Sequence, residues 1–158
     1  MSKKILIIVI LLIVIIIGGV IILNRNNKNI EINIFELANK ISQSNAFEDE
    51  LVEVEKKLVI DEYDFDENKI KEIVSYQGSG ATSEEIVILQ SNTKNDLNEI
   101  KQKIDDRLVE RKEVFESYLP KEVSKIDNKI LKIVNNYVIL CISNNQEEVN
   151  NIINEYIK

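Results

Sequence analysis

The residues from Ile5 to Leu23 are all Ile, Leu or Val apart from Gly18 and Gly19, with no charge, amide or hydroxyl among them. At about 1.5 Å per helical residue, such a run matches the roughly 30 Å hydrocarbon core of a bilayer. Without water, the backbone there can satisfy its polar groups only as a helix. The expected organisation is a cytoplasmic N-terminus over 1–4, a transmembrane anchor over 5–23, a tether over 24–32 and one extracytoplasmic domain over 33–158. A cleavable signal peptide has an apolar core of roughly 7–15 residues followed by small residues. This run is longer, and Asn24-Arg25-Asn26-Asn27-Lys28 follows it, so an uncleaved signal anchor is expected. No cysteine closes the run for lipid attachment. Lys3 and Lys4 against Arg25 and Lys28 place the N-terminus inside by a narrow margin.

Charge separates the remainder from the span. The chain has 20 Lys+Arg and 27 Asp+Glu, and no acid precedes Glu31. Setting aside the four basic residues up to Lys28 leaves 16 basic against 27 acidic side chains, a net charge of −11. Phosphate backbones and anionic lipid surfaces repel such a domain, so nucleic acid is not an expected partner. About 130 residues suffice for one modest core. Cys141 is the only cysteine, which excludes an intrachain disulfide, and histidine is absent. Ser-His and Cys-His nucleophile systems and histidine-ligated zinc are therefore excluded.

Apolar spacing gives an alternating order of elements. Asn33 can cap a helix whose Ile34, Leu37, Ala38 and Ile41 form one stripe. Phe47 to Tyr63 fits either a short helix or a strand-like passage. Ile70 to Tyr76 alternates, with Ile70, Val74 and Tyr76 on one side, and Ile86 to Leu89 is a β-branched run. Gly78-Ser79-Gly80 between them predicts a hairpin. From Thr93 to Leu119 a long helix carries Leu97, Ile100, Ile104, Leu108, Arg111, Phe115 and Tyr118 on one face. Thr93 with Asp96 resembles a capping box, and Pro120 is expected to stop the helix.

Asn135-Asn136 predicts a second hairpin pairing Val134 with Tyr137, Ile133 with Val138 and Leu131 with Leu140, the last four lining the core. Asn145 can cap a closing helix with Val149, Ile152, Ile153 and Tyr156 on one side. The fold class expected is α+β: a roughly four-stranded antiparallel sheet from two hairpins, with helices packed on one face. Tyr137 and Ile139 then lie on the other face, and the two strand-strand-helix units look like a duplicated architecture.

Three motifs invite a chemical reading. Asp64, Asp66 and Asn68 match the first three ligand positions of an EF-hand loop, but Lys69 and Ser75 stand where its glycine and glutamate belong. A solvated turn is expected there. Gly78 to Ser83 lacks the P-loop lysine and joins strands, so a hairpin turn is favoured over a phosphate cradle. Cys141 lies mid-strand with no cation beside it and reads as a buried structural thiol. Arg111, within the apolar stripe one turn from Arg107, either snorkels or pairs with a carboxylate under the sheet. No residue is assigned a catalytic, cofactor-binding or metal-binding role.

Ser79-Gly80-Ala81-Thr82-Ser83-Glu84-Glu85-Ile86-Val87-Ile88, then Arg107, Phe115, Tyr118-Leu119-Pro120 and Asn136-Tyr137-Val138-Ile139-Leu140-Cys141-Ile142-Ser143, together resemble a bacterial extracytoplasmic family known as domain of unknown function 4358. Asn135 stands where that family often has glycine. The resemblance spans roughly Ile34 to Lys158 and implies a Gram-positive, membrane-anchored or lipoprotein setting. It implies no catalytic residue and no cofactor. Through genes found near membrane-bound O-acyltransferases of the envelope, it also implies such a complex as one candidate partner. The expected role is a membrane-tethered interaction or accessory module with an envelope protein partner. The alternatives are a small-ligand or cation-binding envelope domain and, more remotely, a hydrolase working with carboxylates alone.

Overall fold

The computed structural model describes residues 31–157. The expected anchor over 5–23 and most of the tether lie outside these residues. Among the described residues no helix is long and apolar enough to cross a membrane.

The elements run α1 (Ile34–Ser42), β1 (Val52–Val54), α2 (Lys56–Tyr63), a 3-10 turn (Glu67–Lys69), β2 (Ile70–Gln77), β3 (Glu85–Ser91), a second 3-10 turn (Lys94–Asp96), α3 (Leu97–Tyr118), α4 (Pro120–Asp127), β4 (Ile130–Val134), β5 (Tyr137–Ile142) and α5 (Gln146–Tyr156). The strands form one antiparallel sheet in the order β1-β2-β3-β5-β4. The fold is thus α+β, with five strands where two hairpins supply four. The fifth strand and α2 divide the ambiguous stretch from Phe47 to Tyr63 between them.

Helices cover both faces of the sheet, which corrects the one-faced arrangement. Alternation along the central strands separates two cores. Val87, Leu89, Val138, Leu140 and Ile142 meet α2, α3 and α4 through Ile60, Ile100, Ile104, Leu108 and Ile126. Ile86, Ile88, Tyr137, Ile139 and Cys141 meet α1 and α5 through Leu37, Ala38, Ile41, Val149 and Ile153. A sheet apolar on both faces needs two covering layers, and the amphipathic α1 and α5 supply the second. The duplicated look of the two hairpin-helix units is therefore superficial, because α3 and α5 follow their hairpins onto opposite faces.

Local signals explain most boundaries. The Asn33 side chain accepts the Glu36 N–H at 3.1 Å, and the Asn145 side chain accepts the Glu148 N–H at 3.2 Å. Thr93 and Asp96 form the capping box, although the first turn is 3-10 and the α-helix starts at Leu97. α3 ends at Tyr118, two residues before Pro120, as expected, but Pro120 also opens α4, where its missing N–H costs nothing. Asn135 adopts a φ of 55°, and the second hairpin has the expected register. Ile133, however, is 44% exposed. In β2 the register shifts between Ile70 and Glu72, so Ile70 joins Ile73 on the α3 face while Val74 and Tyr76 face the other core. That irregularity overturns the simple alternation read from Ile70.

Candidate functional site

The turn between β2 and β3 is built by carboxylates from outside it. Asp49, on the segment before β1, accepts the Ser79 N–H and the Ser79 hydroxyl, each at 2.7 Å. The Ser79 hydroxyl and N–H hold the Asp49 carboxyl below its usual range, and burial opposes them. A Cβ added at Gly78 would lie 2.8 Å from Asp49 Oδ2 and 2.9 Å from Thr82 Oγ1, so only glycine leaves this carboxylate its place. Gly80 has a φ of +87°, a conformation glycine takes readily.

Behind the turn lies a buried charged cluster. Glu84, Glu85 and Glu122 are each 0% exposed. The Glu84 carboxylate accepts the backbone N–H groups of Glu48 and Asp49, both at 2.9 Å. Glu122, in the first turn of α4, accepts the Ser83 N–H at 2.9 Å and its hydroxyl at 3.1 Å. Lys125, one turn along α4, reaches Glu84 at 3.1 Å, Glu48 at 3.3 Å and Glu122 at 3.4 Å. Burial works against ionisation of Glu122, but the Ser83 N–H and the Lys125 ammonium outweigh it and hold the carboxyl below its usual range. Burial likewise opposes charge on Lys125, yet Glu84, Glu48 and Glu122 raise its pKa above the ordinary lysine value. An amine held protonated in this way is no general base.

On the α3 side, Arg111 pairs with Glu85, so the guanidinium reaches a carboxylate under the sheet. Gln77 bridges Glu85 at 3.1 Å and Glu62 at 2.8 Å, and Arg107 donates to Glu62 at 3.1 Å. The Arg107 guanidinium stands 5.0 Å from the centre of the Tyr63 ring, which stacks on Phe65. Burial and then Glu85 push the Tyr63 hydroxyl well above its usual pKa. These groups tie β3, α2 and α3 together below the turn.

The other candidates disperse. Asp61 pairs with Lys57, Asp64 with Lys103 and Glu67 with Lys56, while Asp66 caps the 3-10 turn through the Asn68 N–H. Beyond α2, from Asp64 to Lys69, the stretch is a turn leading into β2. Among the described residues no group of three or more His, Cys, Asp or Glu is placed to hold a metal ion. Cys141 is fully buried, and burial pushes its thiol far up. Asp49, Glu122 and Lys125 did not stand out in the sequence. The one available signal was Pro120 followed by Glu122 and Lys125 at helical spacing, the opening of a helix with one polar edge.

A second feature is an open sheet edge. β1 pairs only with Ser75 to Gln77 of β2, whereas β2 runs on to Ile70. Where β1 stops at Val54, a groove of about 580 Å³ opens, with Phe35, Val54, Ile73 and Val74 as apolar walls and Glu53 and Glu55 at its acidic rim. Phe35 is 51% exposed, and Val52 and Leu58 nearby are also exposed. Lys56, the groove's one cation, is paired with Glu67 at 3.1 Å.

A family model described as a domain of unknown function (DUF4358) matches residues 41–143. That stretch contains the turn, the charged cluster and all five strands. No curated protein and no solved structure matches the chain.

Proposed function

We propose, for a chain that belongs to the DUF4358 family of domains of unknown function, a role as a membrane-tethered interaction module on the outer side of the cytoplasmic membrane. The apolar run from Ile5 to Leu23 supports the tether, and the resemblance to extracytoplasmic proteins supports the side. The open edge beside β1 carries the interaction reading. It leaves apolar side chains and unpaired backbone at one place, whereas the buried carboxylates are engaged in holding the turn. A partner protein of the envelope is the expected occupant.

Two measurements test this. A C-terminal alkaline phosphatase fusion should be active in intact cells; activity only of a cytoplasmic reporter would reverse the topology. Photo-crosslinking from Val52 in the full chain should capture an envelope protein, with capture reduced by Phe35→Ala. Absence of any crosslinked protein from Val52, Leu58 and Tyr118 positions alike would remove the interaction reading.

A further inference from the structure

We propose that the groove beside the end of β1 takes an extended partner segment as an added β-strand, with apolar residues alternating with Lys or Arg. This rests on the interaction reading above and specifies its mode and the chemistry of the partner. β2 is paired along its length with β3, but on its outer side β1 accompanies only Ser75 to Gln77. Among the described residues, the main chain from Lys71 to Val74 has no hydrogen-bonding neighbour on that outer side. An edge of this kind is a template for strand addition, in which main-chain bonds give affinity and pockets for alternate side chains give selectivity. The groove walls supply such a pocket, and Phe35 stands beside it as a half-exposed aromatic anchor of the type enriched at binding hot spots.

Charge selects the occupant. Glu53 and Glu55 form no salt bridge among the described residues, and Lys56 is already neutralised by Glu67. A second copy pairing β1 to β1 would bring acids against acids, in a domain that carries a net charge of −11 beyond Lys28. A basic, alternating segment puts its Lys or Arg on the face of Glu53 and sends its apolar residues to the opposite face, beside Val54 and Ile73.

The experiment uses the full chain in detergent micelles and an eight-residue peptide alternating valine and lysine. Two N-methylated versions block alternate backbone N–H groups, one set per version. An added edge strand turns only one of its edges to the protein, so one N-methylated peptide should bind about tenfold more weakly while the other binds like the parent. Phe35→Ala, and Glu53→Gln combined with Glu55→Gln, should each weaken the parent peptide at least about fivefold, while Val109→Ser on α3 leaves it unchanged. Amide hydrogen exchange should slow on binding at the outward-facing N–H groups among residues 71–74, the alternate ones being already paired with β3.

Equal weakening by both methylated sets, protection elsewhere, or no binding up to about 1 mM overturns strand addition. If crosslinking from Val52 still captures an envelope protein in that case, the interaction reading stands and only the strand mode falls.

Discussion

Lys125 Nζ lies 3.1 Å from Glu84 Oε1, so a cation on α4 meets a carboxylate immediately before β3 where both side chains are buried. The same ammonium also reaches Glu48 and Glu122. Removing it strands two fully buried carboxylates. Lys125→Met should therefore destabilise the domain by about 3–5 kcal/mol, the cost of breaking a buried pair from one side. All five tyrosines lie between Tyr63 and Tyr156, so urea unfolding of the full chain followed by tyrosine fluorescence reads this domain. A loss below about 1 kcal/mol would mean the cluster is hydrated.

The same cluster predicts an acid limb. Glu122 and Asp49 have folded pKa values below their ordinary values of 4.5 and 3.8. The unfolded chain then binds more protons in that range, and stability rises with pH there. This contribution is complete above the ordinary carboxylate range and is lost as pH falls through the lower folded values. Urea midpoints measured from pH 7 to pH 3 should fall most steeply below about pH 4.5. Glu122→Gln should flatten part of that slope.

Cover on both faces of the sheet predicts equal sensitivity of neighbouring strand residues. Ile139 and Leu140 point to opposite cores, and each is 0% exposed. Ile139→Ala and Leu140→Ala should each cost about 2–5 kcal/mol. A cost for Ile139 within about 0.5 kcal/mol, the range of surface substitutions, would leave that face uncovered.

Cys141 should not react with a thiol reagent such as dithionitrobenzoate in the native protein. It is fully buried with a raised thiol pKa, so labelling requires opening of the sheet. The labelling rate should increase with urea in parallel with global unfolding. Rapid labelling without denaturant would contradict the packing of α1 and α5.

How much of this was legible depended on whether the signal was local. Asn135-Asn136 set the register of the second hairpin because a two-residue turn leaves little freedom, and Thr93 with Asp96 marked the start of the long helix. Arg111 was anomalous within an apolar stripe, and its partner proved to be Glu85 under the sheet. The misses were matters of tertiary placement. α1 and α5 have apolar stripes that say they pack, but nothing in those stripes says on which side of the sheet. The strand from Val52 to Val54 is too short for periodicity to separate it from a helix, and the register shift between Ile70 and Glu72 breaks the alternation within β2. Nothing in the sequence marks Glu122 or Lys125 for burial; the packing of α4 against the turn buries them.

Ile32 and Ile34 are 4% and 1% exposed, and α1 packs directly on β2, β3 and α5. The fold therefore has almost no slack where the polypeptide enters it. Tension along the preceding chain would load α1 within two residues and pass to the central strands rather than to a peripheral loop. Force applied at the N-terminal end of the described residues would peel one helix from Val74, Ile86 and Ile88, which makes α1 the mechanical fuse of the domain.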